Sequence, residues 1–386
     1  MFSRRLDWCA KPNRLSQLLA EKRAAGAEIL DLTESNPTRA GFHYPDELLR
    51  SFHDLRALRY DPSPQGLRHA REAVARVYGV DPGRVILTAS TSEAYSWLFK
   101  LLCNPGDVIL APRPSYPLFD YLAALESVRV AYYPLFYDGC WSMDLGALES
   151  LVNERVRVLV LVNPNNPTGS FLKAHEYPAL VEIARRCNLA LISDEVFQDY
   201  SFITGAGCLR TLAAADEALA FCLGGLSKAC GLPQMKAGWI LVAGPNHLAD
   251  KAIENLLLIA DTYLSVSAPV QYALPALLDS RHAIQAQIRR RTHNNLQTLQ
   301  ALLAGSALRV LTVEGGWYAT VQLPRVLAEE EWAARLLLDY STWAQPGYFY
   351  DFATEAFLVL SLLTPESSFQ EGVRRLLALA QRTLDG

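Results

Sequence analysis

Apolar residues along this chain arrive in two rhythms. From about residue 84, short β-branched runs alternate with amphipathic stretches: Val85-Ile86-Leu87, Val108-Ile109-Leu110, Val156 to Val162, Leu189 to Ile192 and Leu219 to Leu223. Continuous apolar runs of strand length, separated by segments of helical spacing, predict βαβ units and a mostly parallel, doubly wound sheet covered by helices on both faces. Residues 46–275 are expected to form one large α/β domain. Beyond it the rhythm changes. A long helical pattern from about Val270 to Leu303 precedes strand-like runs at Leu308 to Val313, Gly316 to Leu323 and Phe357 to Leu362. That pattern predicts a smaller α+β domain over 276–386. Residues 1–45, which do not follow the βα rhythm, are expected to complete it.

Composition narrows the function classes. The chain has 386 residues, 51% hydrophobic and 20% charged, which suits large buried cores and excludes a disordered or collagen-like chain. Its 36 Lys and Arg against 40 Asp and Glu leave a formal charge of -4, so no basic field exists to attract nucleic acid. No apolar run approaches the roughly 20 residues of a membrane span. The N-terminus has basic residues but no apolar h-region after them, so a cytoplasmic protein is expected. Seven cysteines (9, 103, 140, 187, 208, 222 and 230) show no C-x-x-C spacing and read as small buried apolar residues. The seven histidines form no H-x-x-x-H pair, and no G-x-S-x-G elbow exists, so neither a metal site nor a hydrolase triad is expected.

The chemistry gathers where strands end, which is where doubly wound sheets bind ligands. Val156 to Val162 runs into Asn163-Pro164-Asn165-Asn166-Pro167-Thr168-Gly169, Leu189 to Ile192 into Ser193-Asp194-Glu195, and Leu219 to Leu223 into Gly224-Gly225-Leu226-Ser227-Lys228. Ser90-Thr91-Ser92-Glu93 fits a capping box, and Ala94, Trp97, Leu98, Leu101 and Leu102 continue it at helical spacing. With Ser90 as cap, the N–H groups of Thr91 and Ser92 stay free at the positive end of a helix, where a phosphate binds well. An anion site, a lysine and a carboxylate share one economical reading, pyridoxal 5'-phosphate: the lysine forms a Schiff base and the acid pairs with the ring nitrogen. Glu195, adjacent to Asp194 on a strand, points to the opposite face and reads as structural. Trp317 and Tyr318 read as small-domain core.

In these motifs, together with Gly238-Trp239, the sequence resembles the class I/II aminotransferases, fold type I pyridoxal-phosphate enzymes, over nearly its whole length. The resemblance implies Lys228 as the Schiff-base lysine and proton shuttle, Asp194 as the partner of the ring nitrogen and Asn166 as a donor to the phenolic oxygen. It places Tyr116, in Pro114-Ser115-Tyr116, where a ring stacks on the cofactor, and Ser90, Thr91, Ser92, Ser227 and Lys236 around the phosphate. Tyr60, in Tyr60-Asp61-Pro62-Ser63-Pro64-Gln65-Gly66, resembles the tyrosine that reaches a neighbouring subunit's phosphate, which implies a homodimer with shared sites. Asn36 falls in the segment lining the substrate side.

Departures from the family pattern bear on specificity. Lys236 stands where an arginine is usual and loses its bidentate fork. Gly225 replaces a serine, and Phe197 replaces a hydroxyl-bearing tyrosine. Val359-Leu360-Ser361 stands where Arg-Leu-Ser is common, so the arginine that grips a substrate carboxylate is missing. Either another cation such as Arg113 takes that carboxylate, which is the expectation, or the amino donor is unusual. The activity implied is amino transfer from an amino-acid donor to a 2-oxo acid by a ping-pong route. A lyase or decarboxylase on the same scaffold is the alternative, since the fold does not fix which bond breaks. A non-catalytic cofactor-binding regulator is a remote one.

Overall fold

The computed structural model describes residues 2–6, 12–205 and 207–385. Met1, residues 7–11 with Cys9, Ala206 and Gly386 lie outside the described residues. The large domain is built on an eight-stranded sheet. Its strands run in the spatial order Val85–Thr88, Gly238–Ala243, Ala220–Gly225, Ala190–Asp194, Val156–Val162, Val108–Arg113, Arg129–Tyr137 and Trp141–Met143. The middle pairings are parallel, while Gly238–Ala243 is antiparallel to both of its neighbours and Trp141–Met143 closes the far edge antiparallel. Alternate residues feed two cores. Leu87, Leu159, Leu191 and Trp239 face one cluster of helices, and Ile86, Val158, Ile192 and Ile240 face the other. Two-sided burial is why these strands are nearly unbroken apolar runs.

The small domain carries a four-stranded antiparallel sheet in the order Arg309–Val310, Tyr318–Gln322, Phe357–Ser361 and Gln345–Pro346. The N-terminal segment joins it: Leu30–Asp31 pairs with Thr342–Trp343, and Leu15 and Leu32 are buried in its core. The single helix expected over 270–303 is two, Ala268–Asp279 and Arg281–Leu303, which meet at Ser280. The first packs in the large-domain core through Ala273, Leu274, Leu277 and Leu278, whereas Leu296, Leu299 and Leu303 of the second pack in the small one. One chain segment serves two cores, so it must change direction between them. The strand expected over Leu308 to Val313 shortens to Arg309–Val310: the Leu311 N–H still donates to Thr320 O, but Thr312 bonds Tyr137 and Gly139 and the Glu314 N–H donates to Gly169 O.

Of the six described cysteines, only Cys222 and Cys230 are buried, and all six are free; the expectation of buried cysteines fails for the four near element ends and loops, Cys103, Cys140, Cys187 and Cys208. Among the described residues no helix is long and apolar enough to cross a membrane, and no cluster of metal-ligating side chains exists.

The two domains are stitched behind the pocket. Glu314 forms a buried ion pair with Lys173 and accepts from the Phe171 N–H, while its own N–H donates to Gly169 O at 3.2 Å. A Cβ on Gly169, whose φ is +72°, would lie 2.6 Å from Gly315 O and 2.7 Å from Val313 Cγ1. Gly169→Ala is therefore expected to destabilise the chain by about 2 kcal/mol or more, from left-handed strain and overpacking together. Chemical denaturation of the two purified chains measures it, and an unchanged midpoint contradicts the seam described here.

Candidate active site

Five strands deliver chemistry to one edge of the large sheet. The parallel strands ending at Val162, Asp194 and Gly225 lead into the Asn166 loop, the Asp194 carboxylate and the Lys228 turn. The fourth contribution depends on direction. Because Gly238–Ala243 runs antiparallel, it starts at this edge, with Gly238 beside Gly225 and Thr88, and so carries Lys236 to the place where its neighbours end. Ser90 follows the edge strand Val85–Thr88 directly. The result is a cavity of about 330 Å³.

The anion end is a helix tip. Ser90 Oγ accepts from the Glu93 N–H at 3.1 Å and caps helix Thr91–Leu102. The reciprocal half of the box reaches one residue further back, where Glu93 Oε2 accepts from the Ala89 N–H at 2.7 Å. Ser90, Thr91 and Ser92 line the cavity with Ser227 and Lys236. Free N–H groups, hydroxyls and an ammonium favour a phosphate.

The opposite end holds Asp194 and Lys228. Asp194 Oδ2 accepts from the Tyr95 hydroxyl at 3.1 Å, and Oδ1 accepts from the Val196 N–H at 3.3 Å. Burial pushes the Asp194 carboxyl up to about 6, opposed by those two donors and by the Lys228 charge. Burial also brings the Lys228 amine down to about 8, with Asp194 opposing. The Lys228 Nζ sits 5.0 Å from the centroid of Trp317 and 5.5 Å from that of Phe197. Tyr200 donates to Lys228 O at 2.6 Å and fixes the turn. A lysine whose amine is brought down to about 8, beside a carboxylate in a cleft, has the marks of a reactive group.

Two of the three loop asparagines are committed elsewhere. The Asn163 amide bonds Leu209 O and the Leu172 N–H, and Asn165 bonds Pro114 O and Thr168. Asn166 lines the cavity, and its buried Oδ1 has no partner among the described residues. A phosphate cradle, a buried acid and a depressed lysine in one cavity together fit pyridoxal phosphate.

Of the other residues expected here, Tyr116 and Phe197 line the cavity, Tyr116 remaining 49% exposed at its mouth. Glu195 points away, accepting from Thr211 Oγ1 and the Leu212 N–H, as its strand position requires. Gly225 lines the cavity, and a Cβ there would meet Ala237 O at 3.1 Å. Tyr60 is 78% exposed and lies away from this cavity, beside residues 264–268. Asn36 is not in the wall: its side chain closes a turn onto Thr38, and the adjacent Ser35 faces the cavity instead. Arg113 is not in the wall either. It donates to Asp351 O at 2.9 Å.

Tyr318 corrects its expected place in the small-domain core. On strand Tyr318–Gln322 it alternates with Ala319 and Val321, which fill that core, so it emerges on the opposite face and lines the cavity. Trp317 packs with Phe197 and Tyr200 beside Lys228, outside that core. Tyr95 was missed by the sequence reading, although it lies four residues after Thr91, one helical turn below the cap.

The family model for aminotransferase class I and II matches residues 28–376. The chain belongs to this family. Its relatives include the glutamate-pyruvate aminotransferase AlaA of Haemophilus influenzae, 32% identical over 67% of this chain and 66% of that protein. Another is the alanine aminotransferase of Mycobacterium tuberculosis strain H37Rv, 32% identical over 70% and 64%. The chain thus spans just under two thirds of the length of these two relatives. Solved structures share the fold over its whole length. An Escherichia coli aminotransferase superposes with a TM-score of 0.86 at 22% identity, covering 99% of this chain and 98% of that one. The Pyrococcus furiosus alanine aminotransferase gives 0.87 at 20%, covering 99% and 100%.

Proposed function

We propose that this family member is a pyridoxal-phosphate-dependent aminotransferase that moves an amino group from a donor to a carbonyl acceptor, both using one pocket in turn. The observation that carries this reading is the Lys228 amine, buried and brought down to about 8, within the same cavity as Asp194 and a helix tip suited to a phosphate. Bound there, the cofactor supplies an aldehyde that captures amines and a ring that draws electrons from the bond being broken. Ser90 to Ser92, Ser227 and Lys236 hold its phosphate. Asp194, kept in place by Tyr95 and Val196, holds a proton on the ring nitrogen. Lys228 Nζ binds the cofactor and afterwards takes a proton from the donor carbon and returns it. Trp317 and Phe197 keep water from that amine. Names of relatives favour transfer over the lyase alternative, since the two compared above are aminotransferases.

A homodimer with shared sites accompanies this reading. Tyr60, exposed and remote from its own cavity, sits with Leu55 and Leu58 on an exposed apolar surface that a second copy would cover.

The test begins with cofactor capture. Only the neutral amine is a nucleophile, so the rate at which the ligand-free chain takes up pyridoxal phosphate should rise with pH and level off above about 8, followed by absorbance. An amino donor should then discharge the colour and release one oxo product per site. A chain that stays colourless, or borohydride labelling away from Lys228, refutes the proposal.

A further inference from the structure

We propose that Tyr95 is a positioning residue for the transfer: its hydroxyl, set by the same helix whose tip suits the phosphate, holds Asp194 aimed at the ring nitrogen and in its charged form. The inference rests on the transferase reading and adds to it a group that acts through Asp194 rather than on the substrate. Both residues belong to one chain, and Tyr95 is only 3% exposed, so the contact needs no second copy. Thr91 and Tyr95 stand one turn apart on helix Thr91–Leu102, and both line the cavity. One element therefore meets the phosphate end of the site and the acid end.

The two oxygens of Asp194 are served differently. Oδ1 accepts from the Val196 N–H at 3.3 Å, a backbone bond local to the turn. Oδ2 accepts from the Tyr95 hydroxyl at 3.1 Å, and among the described residues no other side chain donates to this carboxylate. Tyr95 has little freedom to leave. Its ring packs edge-on against Phe119 at 5.5 Å and tilted against Phe99 at 5.8 Å. Burial together with the Asp194 charge keeps its hydroxyl protonated throughout the working pH range, so it remains a donor. The other groups around the pair are Lys228, which acts on Asp194 as a charge across the cavity, and Tyr133, which lies beside Tyr95 and directs its own hydroxyl to Val160 O. With both donors in place the Asp194 carboxyl still stands at about 6, so its ionised form holds only a narrow margin at neutral pH. A hydrogen bond to an ionised group is stronger than one to a neutral group, and removing it disfavours the charge. Without the Tyr95 hydroxyl, Asp194 should therefore hold its proton to higher pH.

The test begins without cofactor. The full chain is labelled with carbon-13 at its aspartate carboxyls, the Asp194 resonance is assigned by its loss in Asp194→Asn, and its titration is followed by NMR. In Tyr95→Phe, which keeps the ring and removes only the hydroxyl, the midpoint should rise by about one pH unit or more. Phe99→Leu, which loosens the packing of that ring and keeps the hydroxyl, should lower the melting temperature and leave the midpoint where it was. In the unaltered chain the Tyr95 ring carbon that bears the hydroxyl should report the same midpoint as Asp194, a measurement that needs no variant to fold. With pyridoxal phosphate loaded, the acid limb of the turnover profile should move to higher pH in Tyr95→Phe, whereas a role in packing alone lowers turnover equally at every pH. An unmoved or lowered midpoint, an equal rise in Phe99→Leu, a Tyr95 signal that stays flat as Asp194 titrates, or an acid limb that keeps its place overturns the role of Tyr95 and leaves the transferase reading standing. A raised midpoint in a chain that captures no cofactor removes the transferase reading, and this role with it.

Discussion

Lys228→Ala should abolish amino transfer, lowering the single-turnover rate on the order of 10⁴-fold or more, because in the proposed mechanism one side chain both anchors the cofactor and shuttles the proton. Cofactor could still bind at the helix tip, so retention of colour without borohydride labelling would separate the two roles. The same substitution has a signed effect on the ligand-free fold. Burial lowers the amine from 10.5 to about 8, so folding opposes its protonation. The sign follows from linkage. Below about pH 8 the unfolded chain holds a proton on this lysine that the folded chain disfavours, and the full penalty applies. Between about 8 and 10.5 the penalty shrinks, and above 10.5 it is gone. The ligand-free variant should therefore melt higher than the parent at pH 7, and the gap should close as pH rises through that window. A variant that melts lower at neutral pH would contradict the burial described for Lys228.

Asp194→Asn keeps the shape of the side chain and removes its charge. Turnover should fall by about 10²- to 10³-fold, the scale seen when one preorganised electrostatic partner is removed. Its second consequence is specific to this pocket. The Asp194 charge holds the Lys228 amine up against desolvation, so without it the pH at which cofactor capture levels off should move below about 8. A general loss of structure has no reason to move that pH downward, so the titration distinguishes an electrostatic role from a packing one. If the plateau stays at its original pH, Asp194 and Lys228 are not coupled as the geometry requires.

Much of this was legible along the chain. Strands buried on both faces must be apolar throughout, so Val156–Val162 and Ala220–Gly225 announced themselves, and with them the βα rhythm of the large domain. Residues next to strand ends in sequence are next to them in space, which is why Asp194, Asn166 and Lys228 were found together. A helix cap is a local device, and Ser90 with Glu93 was recognisable from four letters. The joint in the segment 268–303 was not, because each helix has an acceptable apolar stripe and only the existence of two cores forces a break at Ser280.

The sequence by itself determined the doubly buried apolar strands of the large sheet, the edge where chemistry gathers, and the lysine, acid and amide that gather there, since all of these follow from short-range periodicity and from motifs at strand ends. Only the tertiary structure decided which wall the substrate meets. Ser35 and Tyr318 come from chain segments far apart in sequence and meet only in the folded cavity wall, while Arg113, expected there, bonds Asp351 instead. Side-chain direction across a domain seam is set by packing on both sides at once, and no local pattern in either segment encodes it.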